Sequence, residues 1–322
     1  MSIVVTGGAG FIGSCIVRKL NEEGIDDIII VDNIASTNKW LNLRNKKYLE
    51  YVNKKEFLER LPQYDGITTV IHMGAQSSTT EIDFDYLWKN NFEYTKCLWN
   101  YCAEKKISFI YASSAATYGD GSSGFDDRVD IDELLPLNGY GYSKQIFDLW
   151  VKYQAKEFPS QWVGLKFFNV YGPNEYFKGN MASMVFHGYN QIRTFGEIRL
   201  FKSYNMDYKD GEQLRDFIYV KDVCEVVLWL LKNPAVSGLF NVGTSCARSF
   251  KELAVAIFNT LNIKPNIRYI DMPSHLKEKY QYCTEAKIEK LRIRGYNEKF
   301  YTLEEGIKEY VESYLNRRER VF

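Results

Sequence analysis

The chain has 322 residues, with 41 lysines and arginines against 41 aspartates and glutamates, so its formal net charge is zero. A balanced charge gives no general attraction for nucleic acid or for an anionic membrane surface, and no run of 18 apolar residues is present to span a bilayer. With 45% hydrophobic and 25% charged residues, the composition is typical of a soluble globular protein of one large domain or two of ordinary size.

The beginning of the chain and its cysteines both bear on the compartment in which the protein works. Residues 1–7, MSIVVTG, lack a basic segment and run directly into an apolar stretch, so we expect no secretory signal. The six cysteines contain no Cys-x-x-Cys pair, and the three histidines have no metal-ligand spacing. We therefore expect reduced, mostly buried thiols in a reducing compartment, and no metal site.

Short apolar runs alternate with helical patterns over the first half of the chain. Helical apolar spacing covers 11–24 and 84–105, and a further helix carries residues 140–144. The runs that predict buried strands lie at 2–7, 27–33, 68–75, 107–114 and 162–172. This alternation predicts an α/β fold with a Rossmann-type, doubly wound parallel sheet.

The alternation loosens after residue 172, where shorter elements and a polar loop at 203–213 follow. We expect a dinucleotide-binding domain at 1–172 and a smaller, partly interleaved substrate-binding part at 173–322. Segments near 215–245 are expected to return to the first domain.

The segment VVTGGAGFIGS places Gly7, Gly10 and Gly13 between the first strand and the first helix. Read from Gly8, the same segment contains G-x-G-x-x-G. Glycines at these positions let the backbone turn tightly and approach a pyrophosphate, which the free N–H groups of the helix N-terminus then bind. Because the motif follows a strand and opens a helix, it predicts dinucleotide binding.

The residue at the end of the second strand bears on which dinucleotide is bound. Asp32 follows Gly13 by 19 residues, and an acid at this point accepts a hydrogen bond from the ribose 2′-OH of NAD. Lys39 and Lys54 lie downstream, and either could meet the 2′-phosphate of NADP. Spacing alone leaves both cofactors open.

Two segments carry groups suited to proton transfer. The strand at 107–114 ends in Ser113 and Ser114, where a hydroxyl can donate to a substrate hydroxyl or carbonyl. In YGYSK, Tyr140 and Lys144 lie on one helix face, whereas Tyr142 points to another. A nearby ammonium favours the phenolate, so we expect Lys144 to lower the pKa of Tyr140. Tyr140 would then take a proton from an alcohol whose hydride leaves for a nicotinamide.

The glycine fingerprint, the set of Ser114, Tyr140 and Lys144, and FFNVYGP at 167–173 together resemble the extended short-chain dehydrogenase/reductase family of nucleotide-sugar enzymes. Matching segments such as VDN, SSTTE, RDF and EGIKEY extend the resemblance over nearly the whole chain. The resemblance implies NADP as cofactor and a cytoplasmic homo-oligomer, a pentamer. It is nearest to members that epimerise C6″ of an ADP-linked heptose, which supply heptose for lipopolysaccharide core.

The resemblance also implies roles for individual residues. The cofactor contacts that it implies are Gly7, Gly10, Phe11, Ile12, Gly13, Asp32, Asn33, Lys39, Lys54, Met73, Gly74, Ala75, Gln76, Ser77, Asn90, Lys144, Val170 and Lys178. The substrate contacts that it implies are Asn169, Asn180, His187, Phe201, Lys202, Ser203, Tyr204, Arg215 and Tyr280. The chain departs from the family pattern at Asn180, where a serine is usual, and in the longer loop at 203–213.

Lys178, in NEYFKGN, separates an epimerase from a simple dehydrogenase, because the resemblance makes it a second acid/base beside Tyr140. A nucleotide-sugar 4-epimerase would use the same residues, but they would have to reach a different carbon of the sugar. A 4,6-dehydratase needs an Asp-Glu pair after the catalytic serine or threonine, whereas this chain has Ala115, Ala116 and Thr117 there. A binding module that lost its chemistry is the remaining alternative, and the intact set of Ser114, Tyr140 and Lys144 argues against it.

Overall fold

The structure, a computed structural model, describes residues 2–277 and 280–322, except for the side chains of residues 275 and 276. Its strands are β1 (Ser2–Thr6), β2 (Ile28–Asp32), β3 (Glu50–Asn53), β4 (Ile67–His72), β5 (Ser108–Ser114), β6 (Trp162–Phe167), β7 (Asn169–Tyr171), β8 (Ile198–Phe201), β9 (Leu214–Tyr219), β10 (Gly238–Val242), β11 (Ala247–Ser249) and β12 (Ile267–Ile270). Its α-helices are α1 (Phe11–Glu22), α2 (Lys54–Arg60), α3 (Phe84–Leu87), α4 (Tyr94–Lys105), α5 (Gly139–Tyr153), α6 (Met184–Phe195), α7 (Val220–Lys232), α8 (Phe250–Thr260), α9 (Ser274–Lys277), α10 (Glu289–Ile293) and α11 (Leu303–Tyr310).

Seven strands form one parallel sheet in the order β10-β6-β5-β4-β1-β2-β3. The described residues also form two small sheets, with the strand orders β11-β9-β7 and β12-β8. The predicted Rossmann-type, doubly wound parallel sheet is confirmed. In such a sheet, ligands bind beyond the carboxyl ends of the strands.

The burial of β2 explains why its sequence is an unbroken apolar run. Ile28 and Ile30 pack into the hydrophobic core on one face of the sheet, while Ile29 and Val31 pack into the core on the other face. A strand covered by helices on both faces has no solvent side, so its residues do not alternate with polar ones. Asp32 ends this run at the carboxyl edge of the sheet.

Two predicted elements are subdivided in the structure. The expected strand at 162–172 consists of β6 and β7, because at Phe168 the chain leaves the main sheet and β7 pairs with β9 instead. The helical stretch expected at 84–105 contains a π-helical segment, Trp88–Glu93, between α3 and α4.

Later segments lie close to the first half of the chain. β10 pairs with β6 at the edge of the main sheet, and α7 packs against α1. All six cysteines are free, and Cys15, Cys102 and Cys224 are buried while Cys97 and Cys246 are exposed. Within residues 2–277 and 280–322, no helix combines the length and apolar character needed to cross a membrane.

Candidate active site

A cleft of about 700 Å³ opens at the carboxyl ends of the main-sheet strands. It lies between the glycine turn before α1, the ends of β4 and β5, the start of α5, and the segment that leads into α6. The predicted site residues that line it are Gly7, Gly10, Phe11, Ile12, Gly13, Asp32, Lys39, Met73, Gly74, Ala75, Gln76, Ser77, Ser114, Tyr140, Lys144, Asn169, Val170 and Lys178. The cleft therefore brings together residues from both halves of the chain.

Other predicted site residues do not line this cleft. They are Asn33, Lys54, Asn90, Asn180, His187, Phe201, Lys202, Ser203, Tyr204, Arg215 and Tyr280. Asn33 follows β2, Lys54 follows β3, and Lys54 donates a hydrogen bond to Asn90.

The glycine turn is required by its own packing as well as by a ligand. Gly7 has a φ of +66°, and a Cβ atom on Gly13 would lie 2.2 Å from the Gly7 carbonyl oxygen. A Cβ atom on Gly7 would lie 2.7 Å from the amide nitrogen of Gly74. Because α1 begins after Gly10, which has no side chain to cap it, the first N–H groups of the helix are open to a pyrophosphate.

Asp32 is the centre of a polar cluster at one end of the cleft. Its Oδ2 accepts a hydrogen bond from the Ala9 N–H at 3.0 Å, and its Oδ1 lies 2.5 Å from the Lys39 ammonium. Lys54 donates to the side-chain oxygen of Asn90, while burial lowers the pKa of Lys54 and Asp32 opposes that shift. Two lysines thus lie near one carboxylate at this point of the cleft.

The structure distinguishes the two serines at the end of β5. Ser113 is buried, and its hydroxyl donates to Asp148 at 2.7 Å, which gives it a structural role. Ser114 lines the cleft, and its hydroxyl accepts the Ala116 N–H at 3.1 Å. Ser114 is therefore the serine available to a substrate.

The expected effect of Lys144 on Tyr140 is wrong for this structure. Burial raises the pKa of Tyr140, and a hydrogen bond with Ser114 opposes the shift. The ammonium of Lys144 donates instead to the Ala112 carbonyl at 2.9 Å, while burial lowers the pKa of Lys144 to about 8 against an opposing effect of Asp148. Position on one helix face does not ensure that the two side-chain ends meet.

A buried polar cluster lies beneath Tyr140 and Lys144. The sequence analysis did not predict this cluster. Asp148, one turn after Lys144, accepts hydrogen bonds from Tyr111 at 2.9 Å and from Ser113. The ammonium of Lys166 lies 3.7 Å from the same carboxylate and donates to Thr117 at 2.7 Å. Asp148 and Lys166 are almost completely buried, so this is an internal ion pair.

Lys178 enters the cleft from the segment between β7 and α6. It is half-buried, and its Nζ lies 5.9 Å from the centre of the Phe11 ring. Burial lowers the pKa of Lys178, and the nearby Glu175 opposes that shift. The partial desolvation that a lysine base requires is thus present.

Arg215, which does not line the cleft, lies between two aromatic rings. Its guanidinium is 5.5 Å from the Phe250 ring centre and 5.1 Å from that of Tyr280. Within the longer loop at 203–213, the Ser203 N–H donates to Asp210 at 2.8 Å, which holds the start of the loop to its later part.

Several residues that line the cleft were not predicted from the sequence. They are Thr37, Ser78, Thr79, Ala112, Phe167, Phe168, Phe177, Met181, Ala182, Ser183, Met184, Phe217 and Phe250. Ser78 and Thr79 follow β4, so the rule that ligands lie beyond strand ends could have found them. The aromatic residues look like ordinary core positions in the sequence.

The fold and the cleft together define a dinucleotide-binding enzyme of the Rossmann class. A model of the NAD dependent epimerase/dehydratase family matches residues 3–243, and the chain belongs to this family. The chain is 53% identical to the ADP-L-glycero-D-manno-heptose-6-epimerase of Fusobacterium nucleatum subsp. nucleatum, over 98% of this chain and 99% of that protein.

Solved structures show the same relationship. The ADP-L-glycero-D-manno-heptose-6-epimerase of Helicobacter pylori is similar with a TM-score of 0.81 and 30% identity, over 97% of this chain and 95% of that one. The UDP-glucose 4-epimerase of Thermotoga maritima is similar with a TM-score of 0.80 and 26% identity, over 97% and 98%.

Proposed function

We propose that the protein converts ADP-D-glycero-β-D-manno-heptose to ADP-L-glycero-β-D-manno-heptose by inverting C6″, a reaction that supplies heptose for lipopolysaccharide core. The observation that carries this proposal is that Tyr140 and Lys178 reach one cleft from different elements. Two proton carriers suit a reaction that must accept two alcohols of opposite configuration. The relatives named above as 6-epimerases, one of them 53% identical, support the choice of substrate.

The residues of the cleft fit a nicotinamide dinucleotide, and we propose NADP. The glycine turn and the N-terminus of α1 would hold the pyrophosphate. Asp32 would contact the ribose, while Lys39 and Lys54 would neutralise a 2′-phosphate next to that carboxylate. The bound nicotinamide would supply a reversible hydride acceptor for the sugar carbon.

Tyr140 and Lys178 would divide the proton transfers between them. With its pKa raised by burial, the Tyr140 phenol is protonated at neutral pH and suited to donate a proton to the sugar oxygen. Because burial lowers its pKa, Lys178 is suited to accept a proton from the sugar oxygen. Ser114 would orient the oxygen by a hydrogen bond, and Lys144 would hold the cofactor ribose. In the reverse direction the two roles are exchanged.

The lining of the cleft argues against elimination of water. Among the described residues that line it, Asp32 is the one carboxylate, and it lies at the cofactor end. Thr117, after the catalytic serine, is buried and accepts a hydrogen bond from Lys166. A dehydratase would need an acid and a base at the sugar, and this lining supplies no carboxylate pair there.

The reaction is tested by incubating the purified protein with ADP-D-glycero-β-D-manno-heptose and determining the configuration at C6″ by NMR. We expect a mixture of the two C6″ epimers, with C4″ unchanged. UDP-glucose serves as the comparison substrate, and we expect no UDP-galactose from it. An unchanged heptose, or inversion at C4 of UDP-glucose, would contradict the proposal.

The choice of cofactor gives a second prediction. The double variant Lys39→Ala/Lys54→Ala should weaken NADP binding by roughly 100-fold or more, since each charge-assisted contact contributes about 1.5–3 kcal/mol. Binding of NAD should change far less. Dissociation constants for both nucleotides, measured by fluorescence titration, check this. Lys55→Ala, at the exposed neighbouring lysine, is the matched control. Recovery of NAD alone from purified protein, with the double variant unaffected, would mean that Asp32 decides the preference.

We further propose a cytoplasmic homo-oligomer, a pentamer as in the resembled enzymes, with residues 1–172 as the cofactor domain and 173–322 as the substrate part. We also propose that Asn169, Asn180, His187, Arg215, Tyr280 and residues 201–204 contact the sugar nucleotide. Light scattering on the purified protein checks the oligomer.

A further inference from the structure

The segment that carries Lys178 forms a loop whose two ends are joined by one buried side chain. Oε1 of Glu175 accepts the Gly172 N–H at 3.3 Å, just after β7, and the Ser183 hydroxyl at 2.7 Å, just before α6. Oε2 accepts the Ser183 N–H at 2.5 Å. The carboxylate thus closes a loop that runs from residue 172 to residue 183, with Lys178 near its middle.

Asn174 connects the same loop to helix α1. Its side-chain amide donates to the Ser14 hydroxyl on α1 at 2.9 Å, and its backbone carbonyl accepts from the Asn42 side chain at 3.1 Å. Asn174 and Glu175 are both completely buried. Two adjacent polar side chains therefore fix the loop between α1 and α6, which restricts where Lys178 can lie.

Burial and hydrogen bonding act in opposite directions on the charge of the Glu175 carboxylate. Two N–H groups and one O–H group point at it, and hydrogen bonds of this kind favour the charged form. Burial raises the pKa of Glu175, and the Ser183 and Gly172 donors oppose the shift. The titratable groups near it are Lys178, whose backbone N–H donates to the Glu175 carbonyl at 3.0 Å, and the phenols of Tyr176 and Tyr310.

We propose that Glu175 is a positioning residue for the proton transfer at Lys178: its carboxylate closes the loop and is the nearby negative charge that stabilises the protonated ammonium. This role rests on the proposed function, in which Lys178 carries a proton. It also explains why a loop lysine, ordinarily solvated and mobile, has a fixed place in the cleft.

The test compares the variants Glu175→Gln and Glu175→Asp with the wild type. The readouts are kcat, KM, NADP content, and the rate at which an acylating reagent modifies Lys178 at each pH, followed by peptide mass spectrometry. Lys178 modification needs no substrate, so it remains informative even if the proposed reaction fails. Glu309→Gln, which removes the carboxylate paired with Lys221, is the matched control.

For Glu175→Gln we expect the midpoint of Lys178 modification to move to lower pH, because loss of a nearby negative charge favours the neutral amine. We expect kcat to fall by about 10–100-fold, as for a misplaced catalytic group, with KM and NADP content little changed. Glu175→Asp keeps the charge but shortens the reach, so kcat should fall while the midpoint stays near that of the wild type. Glu309→Gln should leave both quantities unchanged.

An unchanged Lys178 midpoint in Glu175→Gln would overturn the proposal and leave Glu175 a purely structural residue. If Glu175→Gln does not fold, Glu175→Asp tests the proposal instead. A wild-type kcat in Glu175→Asp would also overturn the proposal. If Lys178→Met is fully active while the Lys178 midpoint moves as expected in Glu175→Gln, the fault lies with the proposed role of Lys178 rather than with the coupling to Glu175.

Discussion

Tyr140→Phe and Lys178→Met should each reduce epimerisation by about 10²–10⁴-fold, the usual effect of losing a general acid or base. The sugar carbon must present one face to the hydride acceptor, so its oxygen points in different directions in the two epimers. One proton carrier cannot lie within about 3 Å of the oxygen in both poses. Initial rates from either epimer, followed by NMR, check the prediction.

Both variants should keep NADP bound and the fold intact, because neither residue fills the hydrophobic core of the described chain. Each should still permit redox chemistry that uses the remaining group, such as hydride exchange between aldehyde analogues of the sugar. Tyr142→Phe is the matched control for Tyr140, since Tyr142 is exposed and stacks on Phe84. Near wild-type epimerisation by Lys178→Met, with Tyr140→Phe inactive, would mean that Tyr140 works alone.

Lys166→Met should lower the free energy of unfolding by about 3–5 kcal/mol, because it leaves the buried Asp148 carboxylate without its cation. The side chain of Lys166 is 2% exposed, and its ammonium lies against both Asp148 and Thr117. Methionine approximates the length of the side chain, so the main change is the loss of charge and of one hydrogen bond. Urea unfolding monitored by tryptophan fluorescence measures the change.

Lys152→Met is the control for this second prediction. Lys152 lies on the same helix as Asp148, and its ion pairs with Asp130 and Asp132 are exposed to solvent. Solvent-exposed pairs contribute little to stability, so this variant should unfold close to the wild-type midpoint. Equal midpoints for Lys166→Met and Lys152→Met would show that the internal pair does not stabilise the protein.

The main sheet could be predicted because its strands are buried on both faces. A run such as Ile28 to Val31 has no polar alternation, and helical patterns separate it from the next strand. The split between β6 and β7 could not be predicted, since WVGLKFFNVYG is apolar throughout. It depends on the pairing of β7 with β9, a partner strand far away in the sequence.

The cofactor end of the site was predictable for a different reason. Local motifs specify it, since the glycine turn and Asp32 follow successive strands at fixed spacings. Lys178 was found by resemblance alone, because nothing in its own sequence distinguishes it from a solvated loop lysine.

The buried charges were missed because burial depends on the tertiary fold. Asp148 follows Lys144 by one turn and looks like a surface acid in the sequence, yet it is 1% exposed. Glu175 likewise gives no sign that both its oxygens are fully bonded. The pKa of Tyr140 was predicted in the wrong direction because burial outweighs the charge of a lysine that bonds to Ala112 instead.

The fate of the hydrogen on C6″ tests the central claim most directly. The claim is that this hydrogen leaves as hydride and returns to the same carbon, while Tyr140 and Lys178 exchange protons with the oxygen alone. The measurement is turnover of ADP-D-glycero-β-D-manno-heptose to equilibrium in D₂O, followed by mass spectrometry and NMR of the product. The product should carry no deuterium at C6″. Substantial deuterium at C6″ would mean that the carbon loses its hydrogen as a proton, and would contradict this mechanism.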